Sequence, residues 1–251
     1  MDSRRSQSEL EGRLLSDQPL PYDGSTLEKF SHARNWKRYW VSLLRPYIAG
    51  DVLEVGAGLG ANTERISNPR VRSIHCLEPD EALAAQLREV VRGTEGITVT
   101  AGTIDSVPGE RFDSVLYIDV LEHIEDDKAE LAKAAQRLGP GGRLIVLAPA
   151  HRALYSPFDK AIGHYRRYDR ESLRLCTPAG MRLEQMAYLD CVGLIASGAN
   201  RLILKQNIPT SRQILIWDTY MVPISTMLDR LLGYRLGKSI AAVWVRPIES
   251  Y

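Results

Sequence analysis

Apolar and polar positions alternate in blocks between residues 50 and 150, and the blocks have two characteristic lengths. Short runs rich in β-branched and apolar residues have the length of strands, and the segments between them have the composition of helices. The predicted strands are 51–55, 71–77, 97–101, 112–118 and 143–147, and the predicted helices are 62–67, 82–91 and 128–138, the last closed by the glycine-rich stretch 139–142. This alternation predicts a parallel, doubly wound sheet.

The chain on either side of this block has a different pattern. Aromatic and apolar residues at roughly helical spacing predict one or two helices within 27–48. Segment 151–170 is rich in aromatic and basic residues and predicts no regular element. The remaining predictions are a helix at 171–176, a strand at 181–188, helices at 193–204 and 214–232, the second interrupted by Pro223, and a last, antiparallel strand at 239–245.

The helix predicted at 214–232 has an apolar stripe. Its members recur at roughly helical spacing and are Trp217, Met221, Ile224, Leu228 and Leu231. The stripe predicts packing inside the molecule or the wall of an acceptor pocket. A membrane surface is the weaker alternative, because Asp218, Asp229 and Arg230 do not form the Lys-rich face of an interfacial helix. A homo-oligomeric contact through residues 192–232 is a further expectation.

The pattern predicts a flexible tail and one domain. The polar tail is 1–20, and the single domain is 21–251. Within the domain, the N-terminal helices occupy 21–48, the ligand-binding core 50–150, the acceptor-binding loop and helices 151–235, and the final strand 236–251.

Charge and composition exclude several classes of protein. Lys plus Arg is 32 and Asp plus Glu is 31, which argues against a nucleic-acid partner. The three cysteines, Cys76, Cys176 and Cys191, are scattered, which argues against a disulfide framework or a zinc site. The chain shows no secretory signal and no apolar run long enough to span a membrane. A cytoplasmic protein is therefore the expectation, and no residue is assigned to a metal.

A glycine-rich turn follows the first strand of the block. Gly56-Ala57-Gly58-Leu59-Gly60-Ala61 leads directly into a helix, where free backbone N–H groups favour a nucleotide-like ligand. Glu78 lies about 20 positions further on, at the end of the next strand, where a carboxylate would bind ribose hydroxyls. This pattern also fits nicotinamide enzymes, so the turn alone leaves the ligand open between a dinucleotide and another adenosine compound.

The chain resembles the class I S-adenosylmethionine-dependent methyltransferases. The resemblance depends on four segments in the family's order, 53–60, 77–80, 112–124 and 138–147, and covers about residues 30–150. The tracts 149–155 and 163–168 are similar to a bacterial subgroup of the type 11/12 small-molecule methyltransferases, often associated with surface-glycan or secondary-metabolite pathways. The implied fold is a Rossmann-like sheet of seven strands, mostly parallel, with an antiparallel last strand and added helices.

The resemblance also implies a cofactor site for S-adenosylmethionine. Gly56, Ala57 and Gly58 would pass under the methionine part, Glu54 would stabilise its amino group and Glu78 would accept from both ribose hydroxyls. Thr103 and Ile104 would flank the adenine, and Asp105 would accept from its amine. Asp119 and Val120 would border the methyl group. Gly60, Pro79 and His123 complete the implied set, and His123 is more often a residue that holds the loop than a direct contact.

The second half of the chain would supply the acceptor side. The catalytic candidates are His151, Tyr155 and His164, and His151 would be a general base because an imidazole titrates near neutral pH. Residues 164–168 would form a lid or bind an anionic group. An equally weighted alternative is a structural loop, in which Arg166 and Arg167 pair with acidic neighbours.

The sequence therefore predicts an enzyme that transfers a methyl group to a small-molecule or lipid- or glycan-linked acceptor and releases S-adenosylhomocysteine. Positioning, exclusion of water and removal of a proton are the tasks left to the protein. Two alternatives stay open: an NAD-dependent oxidoreductase, and a non-catalytic protein that keeps S-adenosylmethionine as a bound ligand. The acceptor atom, oxygen, nitrogen or carbon, is not determined by these residues.

Overall fold

Seven strands form one sheet in the computed structural model, which describes residues 32–199 and 210–248. Their order across the sheet is β3-β2-β1-β4-β5-β7-β6. The strands are β1 (Gly50–Val55), β2 (Val71–Glu78), β3 (Ile97–Ala101), β4 (Phe112–Ile118), β5 (Leu138–Pro149), β6 (Arg182–Leu189) and β7 (Ser239–Val245). All neighbours among β1–β5 pair in parallel, and β7 is antiparallel to both β5 and β6. The predicted fold class is therefore confirmed.

Helices cover both faces of the sheet. They are α1 (Arg34–Leu44), α2 (Thr63–Ile66), α3 (Glu81–Val90), α4 (Asp127–Gln136), α5 (Pro157–Ala161), α6 (Arg170–Leu175), α7 (Cys191–Ala199), α8 (Ser211–Ile216) and α9 (Val222–Leu231). A π-helical turn, Trp217–Met221, connects α8 to α9. Successive residues of β4 enter different cores: Val115 and Tyr117 pack on one side of the sheet, and Leu116 and Ile118 on the other. Burial on both faces explains the nearly continuous apolar strands.

The sequence predicted that the glycine-rich stretch 139–142 closes a helix, and this prediction is wrong. Helix α4 ends at Gln136, and β5 begins at Leu138 and runs through the stretch. Leu138 pairs with Phe112 of β4, and Gly141 N donates to Arg246 O while Arg246 N donates to Gly142 O. Leu138 before the glycines and Arg143 after them pair with β4, and the glycines themselves bond with Arg246. This pairing overrides the local preference of glycine for a helix end.

The inward face of the late helices differs from the predicted apolar stripe. Leu231 is 77% exposed and Ile224 is 48% exposed. The buried face is formed instead by Ile214, Asp218, Val222, Ser225 and Asp229. Its polar members cap distant backbone: Asp218 accepts from Asn35 N and Trp36 N at the start of α1, and Asp229 accepts from Asp190 N and Cys191 N at the start of α7. Helix periodicity could not reveal these long-range partners.

Several sequence predictions fall partly or wholly outside the described residues. The tail 1–20 lies outside them, as do residues 21–31, 200–209 and 249–251. The predicted helix 193–204 is seen as α7 up to Ala199. Cys76, Cys176 and Cys191 are buried free thiols. Within the described ranges, no helix has the length and apolar character needed to cross a membrane. The domain boundaries and the homo-oligomeric contact stay predictions.

Candidate functional site

The carboxyl ends of β1, β2 and β4 meet at one edge of the sheet. Strand β1 pairs with β2 on one side and with β4 on the other. From β1 the chain continues to β2 and β3 on one side, and it then crosses back to β4 on the other side, so the strand order reverses at β1. Ligands of doubly wound sheets bind in the crevice at such a point. The sequence-predicted residues Gly56, Glu78 and Asp119 directly follow or end these three strands. The fold thus brings together residues that are far apart in the sequence.

The glycine turn needs its glycines for two different reasons. Gly56, Gly58 and Gly60 all have positive φ angles, of 70°, 57° and 78°, which other residues adopt at a free-energy cost. A Cβ on Gly56 would lie 2.6 Å from Val120 Cγ2, so the turn lies against the segment after β4. A Cβ on Gly60 would instead lie 2.5 Å from Leu87 Cδ1 of α3. Gly56 therefore shapes the crevice, and Gly60 permits helix packing.

Glu78 ties the glycine turn to the end of β2. Its side chain is only 2% exposed, and its two oxygens accept from Gly58 N at 2.8 Å and from Asp80 N at 3.0 Å. Burial raises the pKa of Glu78, and these two hydrogen bonds oppose the shift. Each carboxylate oxygen has a second lone pair, so Glu78 can still accept from ribose hydroxyls. The adjacent Pro79 is exposed.

The loop predicted to contact adenine follows β3. It is joined to Glu78 because Gly102 N donates to Glu78 O at 2.9 Å. Thr103 is exposed and caps the 3-10 turn Ile104–Ser106. Ile104 is completely buried in the core, so the predicted apolar side-chain contact with adenine does not fit this placement. Asp105 Oδ2 accepts from Lys133 Nζ of α4 at 2.6 Å.

Beneath the turn, Glu54 is a buried carboxylate. It is 2% exposed and accepts from Thr63 Oγ1 at 2.7 Å. Burial raises its pKa to about 7, and Thr63, Cys76 and the charge of Lys37 oppose the shift. Lys37, on α1, is 6% exposed, and burial lowers its pKa to about 8. Sequence reasoning missed Lys37. The helical position of Lys37 beside the apolar residues Trp36 and Trp40 was the available signal.

Asp119 directly follows β4 at the crevice. Its side chain is accessible to water, yet protein surrounds it closely enough that desolvation raises its pKa to about 6. The charges of Lys238 and Lys37 oppose this shift. Its φ of 55° places it in the left-handed region, and its N–H donates to Leu147 O at 2.8 Å. Lys238, half-buried and 4.5 Å from the centre of the Trp217 ring, was not found from the sequence.

A short 3-10 turn, Leu121–His123, continues from Asp119. Glu122 is 1% exposed, and burial, followed by the charge of Asp119, raises its pKa well above the ordinary value. His123 is half-buried, and burial followed by the charge of His164 lowers its pKa to about 4. His123 is therefore neutral at physiological pH. Its ring lies edge-on to His164, with 4.5 Å between the ring centroids.

Segment 151–168 is held against this edge by an internal network. His151 N donates to Tyr168 O and Tyr168 N donates to Pro149 O. Arg167 forms two hydrogen bonds with Asp159, and Arg166 forms an ion pair with Asp127 at 2.7 Å. These pairs fit the structural alternative better than a lid or an anion site, because both guanidinium groups already have carboxylate partners.

The three catalytic candidates have different surroundings. His151 stacks on Tyr188 with centroids 5.0 Å apart, and its Nε2 donates to Gly237 O at 2.9 Å. That bond fixes the tautomer and leaves the lone pair on Nδ1. Tyr155 donates its hydroxyl to His164 O at 2.7 Å. His164 Nδ1 lies 3.0 Å from Asp159 Oδ1. Only His151 stays a candidate base on this geometry, since the Tyr155 hydroxyl is engaged within the loop and His164 Nε2 faces the buried Glu122.

The chain is similar to known methyltransferases. Residues 53–144 match the family described as "Methyltransferase domain". A demethylmenaquinone methyltransferase from Tropheryma whipplei (strain Twist) is 29% identical over 141 residues, 55% of this chain and 58% of that protein. A ubiquinone biosynthesis O-methyltransferase from Bradyrhizobium sp. (strain ORS 278) is 31% identical over 96 residues, 38% of each chain. The match thus spans less than two thirds of either relative.

A solved structure has a similar fold. An S-adenosylmethionine dependent methyltransferase from Mesorhizobium loti superposes with a TM-score of 0.56 at 17% identity, covering 82% of this chain and 96% of that chain. At this identity the likeness concerns the fold. With the family match, it confirms the resemblance inferred from the sequence.

Proposed function

Because residues 53–144 form a class I S-adenosylmethionine-dependent methyltransferase domain, we propose that the protein transfers a methyl group from S-adenosylmethionine to a small-molecule acceptor. S-Adenosylhomocysteine would be the second product. One observation carries the proposal: the glycine turn, the buried carboxylate of Glu78 and the accessible carboxylate of Asp119 lie at one sheet edge. Such a crevice suits a ligand with a ribose and a charged amino acid part.

The residues at this edge fit the parts of the cofactor. Glu78 would accept from the ribose hydroxyls, and the backbone of Gly56, Ala57 and Gly58 would lie under the methionine part. Glu54 would stabilise the amino group, directly or through water, while Lys37 has the charge to bind the carboxylate. Bound S-adenosylmethionine supplies a methyl group already activated by the sulfonium. The protein's own tasks are to position the acceptor, exclude water and accept its proton.

The acceptor belongs to the second half of the chain. We expect a small-molecule or a lipid- or glycan-linked acceptor, in secondary metabolism or surface-glycan biosynthesis. One relative is named a demethylmenaquinone methyltransferase and another a ubiquinone biosynthesis O-methyltransferase, so hydroxylated aromatic rings are the first acceptors to test. His151, after β5, would remove the acceptor proton through Nδ1.

Calorimetric titration tests the cofactor. We expect S-adenosylhomocysteine to bind one site per chain and NADH to give no heat of binding. The reverse result would establish the nicotinamide alternative and overturn the proposal. Release of S-adenosylhomocysteine is then followed across a panel of hydroxylated aromatics and sugars. A non-catalytic protein would retain S-adenosylmethionine unchanged with every acceptor.

Replacing His151 with alanine tests the base. We expect turnover to fall by roughly 10²- to 10⁴-fold, the usual contribution of a general base, while the affinity for S-adenosylhomocysteine stays near wild type. His75→Ala serves as the control, because His75 lies on β2 and is bonded to Thr100. Equal losses of turnover and cofactor affinity in His151→Ala would indicate that the stack on Tyr188 and the Gly237 bond are structural.

Cofactor affinity should depend on pH through Glu54. With a pKa of about 7, the carboxyl group is largely protonated below neutral pH in the free protein, whereas the cationic amino group favours the ionised form. Affinity should therefore rise with pH through about 7, by up to about tenfold per pH unit well below the pKa of Glu54. It should fall again above about 8, where Lys37 loses the charge proposed to bind the carboxylate. Titrations in buffers of different ionisation enthalpy would detect the released proton. Glu54→Gln should flatten the rise through about 7; an unchanged rise would place the titrating group elsewhere.

A further inference from the structure

Two segments far apart in the sequence meet beside the crevice. One is the turn Leu121–His123 after β4, and the other is residues 163–165 after α5. Tyr165 N donates to Glu122 O at 2.8 Å, and His164 N donates to Asp159 O at 2.9 Å. These backbone bonds fix the two segments relative to each other, so the side chains between them are positioned by the fold.

Three potential metal ligands converge between these segments. Glu122, His123 and His164 each offer one donor atom, and the three donor atoms all lie within 4.8 Å of one another. His164 Nε2 lies 3.8 Å from Glu122 Oε1. Glu122 is 1% exposed, and its other oxygen, Oε2, has no hydrogen-bond partner within the described residues. A buried carboxylate oxygen without a donor is unfavourable unless something positively charged or hydrogen-bonding fills the space beside it.

Both histidines are oriented by outer partners. His164 Nδ1 lies 3.0 Å from Asp159 Oδ1 and donates to it, so Nε2 is the nitrogen that faces Glu122. Asp159 is itself fixed by Arg167 and by Ser156. A hydrogen bond with the backbone of Gly163 orients His123. A carboxylate or carbonyl behind each imidazole is the arrangement that holds histidine ligands in metalloproteins.

The surrounding charges favour a cation. The carboxylates of Asp119 and Asp159 interact with Glu122 electrostatically. Arg167, a cation that interacts with Glu122, is already bonded to both oxygens of Asp159. Two imidazole nitrogens and one carboxylate oxygen form a donor set suited to divalent transition metals, above all zinc.

We propose that Glu122, His123 and His164 bind a divalent transition-metal ion, with zinc as the expected occupant. The three side chains would leave a coordination position for water or for another ligand. The sequence assigned no metal because the scattered cysteines argued against a zinc site, and the donors come from two segments about 40 residues apart. Their meeting depends on the backbone bonds between the segments. The inference stands independently of methyl transfer.

Metal content tests the site directly. The full chain is purified through a tag without histidine, because a polyhistidine tag itself binds metals, and is measured by elemental mass spectrometry. After chelation, the protein is titrated calorimetrically with Zn²⁺, Co²⁺ and Mn²⁺. We expect about one equivalent per chain for wild type. Glu122→Gln and His164→Gln should retain less than about a tenth of it. His75→Gln should match wild type, since His75 bonds to Thr100 and is not one of the clustered donors.

The outcomes separate the possibilities. Binding of none of the three cations to wild type would overturn the proposal and leave a protonated, hydrogen-bonded cluster. Equal binding by wild type and both variants would place the metal elsewhere and also overturn it. If a variant does not fold, as judged by circular dichroism, the wild-type Co²⁺ complex decides: visible d–d bands with shifted imidazole resonances support the site, and their absence contradicts it. Cofactor titration is independent of these readouts.

Discussion

Glu78→Ala is expected to weaken S-adenosylhomocysteine binding by about 1 to 3 kcal/mol, the loss typical of hydrogen bonds to a charged group. The variant removes the proposed ribose acceptor, and it also releases Gly58 N and Asp80 N, to which the carboxylate is bonded. The glycine turn and the start of α3 would then lose their common support. Calorimetric titration measures the change in affinity, and thermal unfolding without ligand measures the change in stability.

Glu78→Gln and Glu81→Ala make this experiment specific. Glutamine keeps the size of Glu78, but its amide NH2 group would face one of the two backbone N–H donors. Glu78→Gln should therefore lose much of the affinity that Glu78→Ala loses. Glu81 begins α3 and is exposed, with its carboxylate on the surface beside Arg88, so Glu81→Ala should bind like wild type. Unchanged affinity in both Glu78 variants would mean that the ribose lies elsewhere.

Asp229→Ala is expected to lower the free energy of unfolding by about 3 to 5 kcal/mol, as when a buried charged network loses one member. Asp229 is fully buried and accepts three hydrogen bonds: from Tyr39 OH at 2.6 Å, Asp190 N at 2.6 Å and Cys191 N at 3.1 Å. Alanine would leave all three donors buried without this acceptor. Because α1, α7 and α9 meet at this carboxylate, the loss affects the cover of one sheet face.

Asp126 provides the matched comparison. It caps α4 by accepting from Ala129 N at 3.0 Å and is exposed to solvent. Asp126→Ala should therefore lower the free energy of unfolding by only about 1 kcal/mol, because water can replace the exposed cap. Denaturant unfolding of both variants measures the contrast. Equal, small losses would show that the Asp229 network contributes little to stability.

Residues close in sequence to a strand end were predictable as site residues. Gly56, Glu78 and Asp119 each lie at the end of a strand whose apolar run is visible in the sequence, and parallel strands place such ends at one edge. Lys37 and Lys238 were not predictable in this way. Each lysine belongs to the site because it interacts with charged residues on other elements, among them Glu54 and Asp119.

Two predictions made from local sequence, one for the late helices and one for the start of β5, are wrong because long-range contacts decide these elements. The apolar stripe at 214–232 was inferred from periodicity, but the inward face is set by Asp218 and Asp229, which cap helices more than 30 residues away. The glycines of 139–142 favoured a helix end, but pairing of the flanking Leu138 and Arg143 with β4, and hydrogen bonds with Arg246, made them part of a strand. Local preference is weak compared with several satisfied backbone hydrogen bonds.

The sequence by itself determined the alternation of strands and helices, the doubly wound class and the glycine turn, because these depend on local spacing and on the backbone freedom of glycine. Only the tertiary structure decided which side chains surround the crevice. It joined Glu122 and His123 to His164, and it engaged Arg166 and Arg167 with carboxylates. Burial and long-range pairing set these contacts and the associated pKa shifts, and neither is encoded in the spacing of residues along the chain.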